Sequence, residues 1–155
     1  SSWIAMRPLK EKGIYSFIVI FLSLALSGLA VLFLISQYIV ELPRWFEPSF
    51  IVPIAGMIFA NSMNIVSLAG ERFFVEKDRG ENYENSRRIA LETALIPLIN
   101  ALFAVGLVSL PGMMTGQILS GIEPLMAARY QIMVMCMMFS TAGLSAVTYM
   151  SFKKY

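Results

Sequence analysis

Histidine does not occur in this chain of 155 residues, and cysteine occurs only once, at Cys136. Histidine is the commonest protein ligand for transition metals, and a single cysteine cannot form a disulfide or a cysteine-based zinc site within one chain. Charged residues are also scarce, at 14% of the chain, whereas 57% of the residues are hydrophobic. A soluble domain of this size needs more polar surface, so the composition predicts a membrane protein in a lipid bilayer.

Other motifs that carry chemistry are also lacking. The sequence contains no G-x-x-x-x-G-K-[ST] loop for nucleotide phosphates and no Ser/His or Cys/His arrangement for hydrolysis. The net charge of +2 is small, and the basic residues lie at the ends of segments, so no nucleic-acid partner is expected. We predict that the chain is not an enzyme and holds neither a metal nor another cofactor.

Four uncharged runs exceed the threshold of about 18 residues for a membrane-spanning helix. They extend over Gly13–Val40, Pro48–Gly70, Thr93–Ile122 and Tyr130–Phe152. We therefore predict an all-α, polytopic helical membrane protein with one transmembrane domain, residues 1–155. Its four spans are expected at about 14–39, 50–70, 94–119 and 130–151, with a connection at 71–92.

Lysine and arginine mark the side of the membrane on which a segment lies. The connection at 71–92 contains Arg72, Lys77, Arg79, Arg87 and Arg88, whereas each of the other two connections contains one arginine. An excess of basic residues is typical of the cytoplasmic side, so the connection and both termini are expected in the cytoplasm. This charged connection is either a solvated linker or a docking surface, in which Phe73, Phe74 and Tyr83 enter a groove of a partner.

The third uncharged run, Thr93–Ile122, is too long for an ordinary span. As one helix it would measure about 45 Å, well beyond the ~30 Å hydrocarbon core of a bilayer. Pro111 cannot donate the helical hydrogen bond, so a kink or a helix end is predicted at Pro111-Gly112. A re-entrant hairpin here would turn Thr115 and Gln117 toward a translocation route. The alternative is a packing seam, because Gly112, Gly116 and Ser120 repeat every four residues.

Three asparagines lie within the predicted spans, at Asn61, Asn64 and Asn100. Asn61 and Asn64 are three residues apart and share a helix face, and the nearby pair Gly56 and Ala60 is expected to allow another helix to approach closely. The amides either form hydrogen bonds between helices or line a polar pathway. Met133, Cys136 and Met137 also share a face, but methionine commonly fills apolar gaps, so packing is expected there rather than a soft-metal site.

Three blocks of sequence resemble the FetB-type permease family of bacterial iron-export and metal-resistance proteins, which in turn resemble plant aluminium-tolerance permeases. The blocks are VPIAGMIFANSMN (52–64), ALIPLIN (94–100) and GLVSLPGMMTGQILSGIEPLMAARYQIMVM (106–135). The resemblance covers most of residues 50–150 in the same order. It implies the membrane subunit of an ABC transporter in the bacterial cytoplasmic (inner) membrane, which exports iron or a metal-related substrate.

The resemblance also implies the partners and the site. A homodimer is expected to associate with a separate ATP-binding subunit, which holds ATP and magnesium and contacts Glu71–Glu92. Coupling to this ATPase is assigned to four charged residues: Arg79, Glu84, Arg87 and Arg88. The pathway or gate is assigned to eight residues: Asn61, Asn64, Asn100, Pro111, Gly112, Thr115, Gly116 and Gln117.

Two features depart from that family. The chain lacks hydrophobic helices that family members have before Arg7, so it is expected to be a C-terminal part or an abbreviated form. Its cytoplasmic connection is also shorter and lacks the turn expected of a coupling helix. Two alternatives stay open, namely a helical membrane protein that serves assembly without transport, and a passive channel lined by asparagine and glutamine amides.

Overall fold

The computed structural model describes residues 14–35, 37, 48–105 and 111–152. Within this part of the chain there are five α-helices. They are α1 (Ile14–Leu34), α2 (Pro48–Asp78), α3 (Tyr83–Ala104), α4 (Gly112–Leu119) and α5 (Pro124–Phe152). The all-α class predicted from the sequence is confirmed.

Two of these helices are long and apolar enough to cross a membrane, judged by length and composition. They are Ile51–Asp78, which is most of α2, and Pro124–Phe152, which is α5. Within α1 the apolar helix Ile18–Leu34 is shorter, and α3 has charged residues in its first turns. The described residues therefore contain two candidate spans by this criterion, and the four-span arrangement stays a prediction.

The long third run is interrupted between α3 and α4. Helix α3 ends at Ala104, and Val105 caps it in an extended conformation. Pro111 is the N-cap of α4, with φ −61° and ψ 142°, and Gly112 is the first residue of that helix. Proline suits a helix start because its φ is fixed and its lack of an N–H costs nothing there. Pro111 therefore begins α4, and α3 ends well before it; residues 106–110 lie outside the described part.

The predicted connection at 71–92 is a helical hairpin. Helix α2 continues through the charged residues to Asp78, and α3 begins only a few residues later. Gly80 has a φ of +89°, which favours glycine, and the side chain of Asn82 accepts a hydrogen bond from the Asn85 N–H at 2.8 Å. The charged side chains are therefore held on helix faces around a tight turn.

The helices enclose two apolar clusters. Phe73 of α2, Ala90 of α3 and Tyr149 of α5 belong to one cluster, in the half of the bundle near the hairpin. Ile58 of α2 and Met137 of α5 belong to the other cluster. The packing role expected for Met137 is confirmed, whereas the neighbouring Cys136 is exposed.

Small residues on α1 bring this helix close to its neighbours. A Cβ atom added at Gly28 would lie 2.6 Å from Cε1 of Phe59, so only glycine fits against that ring without a shift. At the preceding residue of α1, the hydroxyl groups of Ser27 and Ser145 form a buried hydrogen bond between α1 and α5. The close approach expected at Gly56 is not found within the described chain, because no described atom lies within 4 Å of a Cβ added there.

Candidate functional site

A cleft of about 490 Å³ lies between α2 and α3. Asn61, Asn64, Ile65, Ser67, Leu68 and Glu71 line it from α2, Pro97, Leu98 and Ala101 line it from α3, and Met138 lines it from α5. The α3 wall and Met138 are apolar, so the polar groups that line the cleft stand on α2. The cleft is thus an apolar groove with one polar edge.

The polar edge follows a single face of α2. Asn61, Asn64, Leu68 and Glu71 are separated by three, four and three residues, which is the spacing of one helix face. From Asn61 to Glu71 the face extends about 15 Å, at roughly 1.5 Å per residue. This length is about half of the ~30 Å hydrocarbon core.

One amide nitrogen of this edge forms no hydrogen bond to a described helix. The Nδ2 atom of Asn61 is buried and has no hydrogen-bond partner among the described residues, and Asn64 is exposed. Amides that join transmembrane helices do so through hydrogen bonds between the helices, and the Asn61 Nδ2 atom makes no such bond to a described residue. The arrangement favours the polar-pathway interpretation over the packing interpretation.

The opposite wall contains a proline within a helix. Pro97 lies inside α3 and lines the cleft. Because proline has no N–H, the carbonyl group of Thr93, one turn earlier on the same face, is left without its helical donor. The Thr93 carbonyl oxygen on α3 therefore lacks the hydrogen bond that residue 97 would otherwise donate to it.

The predicted pathway residues fall into two groups. Asn61 and Asn64 line the cleft, whereas Asn100 is exposed and does not line it, although Pro97 and Ala101 do. Among the described residues of α4, none lines the cleft. The structure therefore does not bring the asparagines of α2 together with Thr115 and Gln117.

Helix α4 packs against α5 with its polar residues half-buried. The Thr115 hydroxyl donates to the Pro111 carbonyl at 3.2 Å, and Oε1 of Gln117 is buried without a hydrogen-bond partner in the described part. Gly112 and Gly116 are exposed, and no described atom lies within 4 Å of a Cβ added at either. The predicted seam along Gly112 and Gly116 thus faces open space in this chain.

Aromatic residues hold the hairpin together. The Phe73 ring packs edge-on against Phe74 and Tyr83, with centroid distances of 6.0 and 5.6 Å. Phe73 is only 1% exposed, and the Tyr83 hydroxyl donates to the Met150 carbonyl of α5 at 2.9 Å. The hypothesis that these aromatic residues dock into a partner is therefore wrong for Phe73, whose ring is already buried inside the hairpin.

Some charged residues of the hairpin are engaged in contacts within the chain, whereas others are exposed to a possible partner. Glu76 is buried and accepts contacts from Arg72 at 2.8 Å and Arg79 at 3.0 Å. Arg87 is half-buried, and its guanidinium contacts the Ser151 hydroxyl at 3.4 Å. Among the four predicted coupling residues, Arg79, Glu84 and Arg88 are exposed, whereas Arg87 is directed toward α5.

Glu71 was not among the predicted site residues, because its charge placed it in the cytoplasmic connection. The signal that would have identified it is the spacing Asn61, Asn64, Leu68, Glu71, which extends the asparagine face to the first charged residue. The described residues contain no group of three or more histidine, cysteine, aspartate or glutamate side chains that would hold a metal ion. The lining residues whose side chains carry oxygen atoms are Asn61, Asn64, Ser67 and Glu71.

Comparison with known proteins identifies relatives along the whole chain. The family described as "Uncharacterised protein family (UPF0014)" matches residues 1–155. A UPF0014 membrane protein of Synechocystis sp. is 40% identical over 76% of this chain and 52% of its own length. The "Probable iron export permease protein FetB" of Escherichia coli is 39% identical over 71% of this chain and 49% of its own length.

A plant protein is also similar. The "Protein ALUMINUM SENSITIVE 3" of Arabidopsis thaliana is 34% identical over 66% of this chain and 43% of its own length. The chain spans about half the length of the first two relatives. No solved structure matches it significantly.

Proposed function

Because the chain belongs to the UPF0014 family, and its relatives are membrane proteins that include one named as an iron export permease, we propose that it is a membrane-spanning permease subunit of an ABC transporter. It exports iron or a metal-related substrate, and a separate ATPase subunit supplies the energy. The observation that carries the proposal is the cleft between α2 and α3, with Asn61 and Asn64 inside the candidate span Ile51–Asp78. Amides are expensive in lipid and are typical of substrate pathways when they do not join helices.

The proposed membrane arrangement has four spans. Helices α1, α2 and α5 each cross once, and α3 with α4 forms the third crossing, which is broken between Ala104 and Pro111. The excess of basic residues in the hairpin supports an orientation with the hairpin and both termini in the cytoplasm. The proposed gate is at this third crossing, where α3 ends at Ala104 and Pro111 begins α4.

The proposed assembly is a homodimer. On α2, Val52, Gly56, Ala60 and Asn64 are all exposed and follow one face at four-residue spacing. No described atom lies within 4 Å of a Cβ added at Gly56, so another helix has room to approach there. A second copy on this face covers the open edge of the cleft and encloses Asn64 between two permease chains.

The hairpin suits a contact with the ATPase. Its exposed tip contains Arg79, Glu84 and Arg88, while Tyr83 and Arg87 fasten its base to α5. The two helices that form the hairpin also form the two walls of the cleft. A force applied by the ATPase at the tip therefore acts directly on the width of the cleft.

The test combines partner capture with reversal of exposed charges. The full-length protein is expected to co-purify a P-loop ATPase and to stimulate its ATP hydrolysis. Replacement of both Arg79 and Arg88 by glutamate should reduce this stimulation about fivefold or more, because like charges then oppose the partner surface. Arg129→Glu, an exposed change at the far end of the molecule, is the matched control.

Two results would contradict the proposal. One is the failure of any P-loop ATPase to co-purify with the full-length protein. The other is undiminished ATPase stimulation by the double variant. Ion flux through vesicles without nucleotide would instead favour a passive channel.

A further inference from the structure

Glu71 has no basic partner among the described residues, in contrast to Glu76 and Glu92. Glu76 contacts Arg72 and Arg79, and Glu92 lies 3.8 Å from Arg88. The positions three and four residues from Glu71 along α2 are Ser67, Leu68, Phe74 and Val75, none of which is basic. Its neighbour Arg72 is directed to Glu76, so no helical ion pair neutralises the Glu71 carboxylate.

The carboxylate also stands at one end of the cleft. Glu71 lines the cleft together with Ser67, Asn64 and Asn61, and it is exposed, whereas Asn61 is half-buried at the other end of the same face. A negative charge at the open end of a cleft with low-dielectric walls concentrates cations at its mouth. The side-chain oxygens that follow are a hydroxyl and two amides, which are donors that hard divalent cations accept.

We propose that Glu71 is the entry site for a divalent cation at the hairpin end of the cleft. The cation binds the carboxylate first and then moves along Ser67, Asn64 and Asn61 toward the middle of the bilayer. This inference rests on the proposed export function and adds to it the class of cargo, a partly hydrated divalent cation, and the residue that captures it.

The side chains of the site suit weak, reversible binding of a divalent cation during transport rather than tight binding at a permanent metal site. One carboxylate with neutral oxygens leaves most positions around a divalent cation to water, as is common for Mg²⁺ sites. A transport pathway needs binding strong enough for entry and weak enough for release. The lack of a three-residue acidic or histidine cluster in the described chain is therefore compatible with this role.

The test measures binding of Mn²⁺, a paramagnetic divalent cation, to the full-length protein in lipid nanodiscs by electron paramagnetic resonance. Glu71→Gln should weaken Mn²⁺ binding about tenfold or more, because a neutral amide replaces the one carboxylate among the described residues that line the cleft. Glu92→Gln is the matched control: this exposed carboxylate on α3 does not line the cleft, so its variant should bind Mn²⁺ like the unmodified protein. Asn64→Leu keeps Glu71 and should weaken binding about threefold or more.

The possible results of these experiments distinguish a failure of the Glu71 entry site from a failure of the proposed permease function. Unchanged Mn²⁺ binding in Glu71→Gln, or an equal loss in Glu92→Gln, would overturn the entry site, and unchanged binding in Asn64→Leu would overturn the path along α2. ATP-driven iron export that survives Glu71→Gln at full rate would also overturn the site while leaving the permease function standing. Conversely, Glu71-dependent Mn²⁺ binding without any ATPase partner would retain the site and reject the ABC transporter.

Discussion

Single residues determine how closely the helices of this bundle approach. Gly28 allows the Phe59 ring of α2 to lie directly on the backbone of α1, and no larger residue fits there without displacing the ring. Gly56, on the outer side of α2, meets open space instead. Two glycines in neighbouring apolar helices thus have opposite roles, and only one of them is required by packing within the chain.

Gly28→Val should destabilise the folded protein by about 1–3 kcal/mol, because the added methyl groups overpack the contact with Phe59. The measurement is the midpoint of thermal unfolding in detergent. Gly56→Val is the matched control and should shift the midpoint much less in the monomer. The double variant Gly28→Val, Phe59→Leu should recover part of the loss; equal destabilisation by both glycine variants would contradict this account.

At the level of secondary structure elements, the α2–α3 hairpin is the best-defined feature. Gly80 and the N-cap Asn82 form its turn, and the Phe73 ring fills its interior. The side chains of Tyr83 and Arg87 form hydrogen bonds that attach it to α5. The hairpin is therefore part of the folded core rather than a solvated linker. Its exposed charged residues, among them Arg79, Glu84 and Arg88, are available for contact with another protein.

Tyr83→Phe should loosen the base of the hairpin, because it removes the hydrogen bond to the Met150 carbonyl while keeping the ring. A loss of about 1 kcal/mol corresponds to amide hydrogen exchange about fivefold faster in the first turns of α3. Mass spectrometry of exchanged peptides measures this difference. Glu84→Gln, at the adjacent exposed position, should leave exchange unchanged, and an equal acceleration in that variant would refute the role of Tyr83.

For the whole molecule, the decisive property is its orientation in the bilayer. The turn of the hairpin and the turn between α4 and α5 lie at opposite ends of α5: Tyr83 contacts Met150 near its last turn, and Glu123 precedes its first residue. With 29 residues, α5 is about 43 Å long, which exceeds the hydrocarbon core. The two turns are therefore expected on opposite sides of the membrane.

Cysteine labelling tests this orientation in a Cys136→Ala background. A membrane-impermeant maleimide should label Glu123→Cys in intact cells and Glu81→Cys only after the membrane is opened, because the excess of basic residues predicts a cytoplasmic hairpin. Both glutamates are exposed, so accessibility within the fold does not bias the comparison. The reverse pattern would reject the predicted orientation, and labelling of both positions from outside would reject the crossing of the membrane by α5.

The sequence alone determined the class of the molecule. Long uncharged runs require helices in a membrane, because every backbone polar group must be satisfied without water, and Pro111 marks an interruption because it cannot donate a hydrogen bond. The segments 52–64, 94–100 and 106–135 were also sufficient to indicate the family. These properties depend on which residues occur near one another in the sequence, so they can be recognised without the tertiary structure.

Only the tertiary structure decided which polar residues share a site. Asn61, Asn64 and Asn100 look alike in the sequence, but only the first two line the cleft. Glu71 joins them because α2 continues without a break beyond the uncharged run that ends at Gly70. Phe73 looks like a docking residue until its ring is found between Phe74 and Tyr83. The reason is physical: a helical period assigns a residue to a face, whereas the packing of other helices decides whether that face is buried, open or part of a cleft.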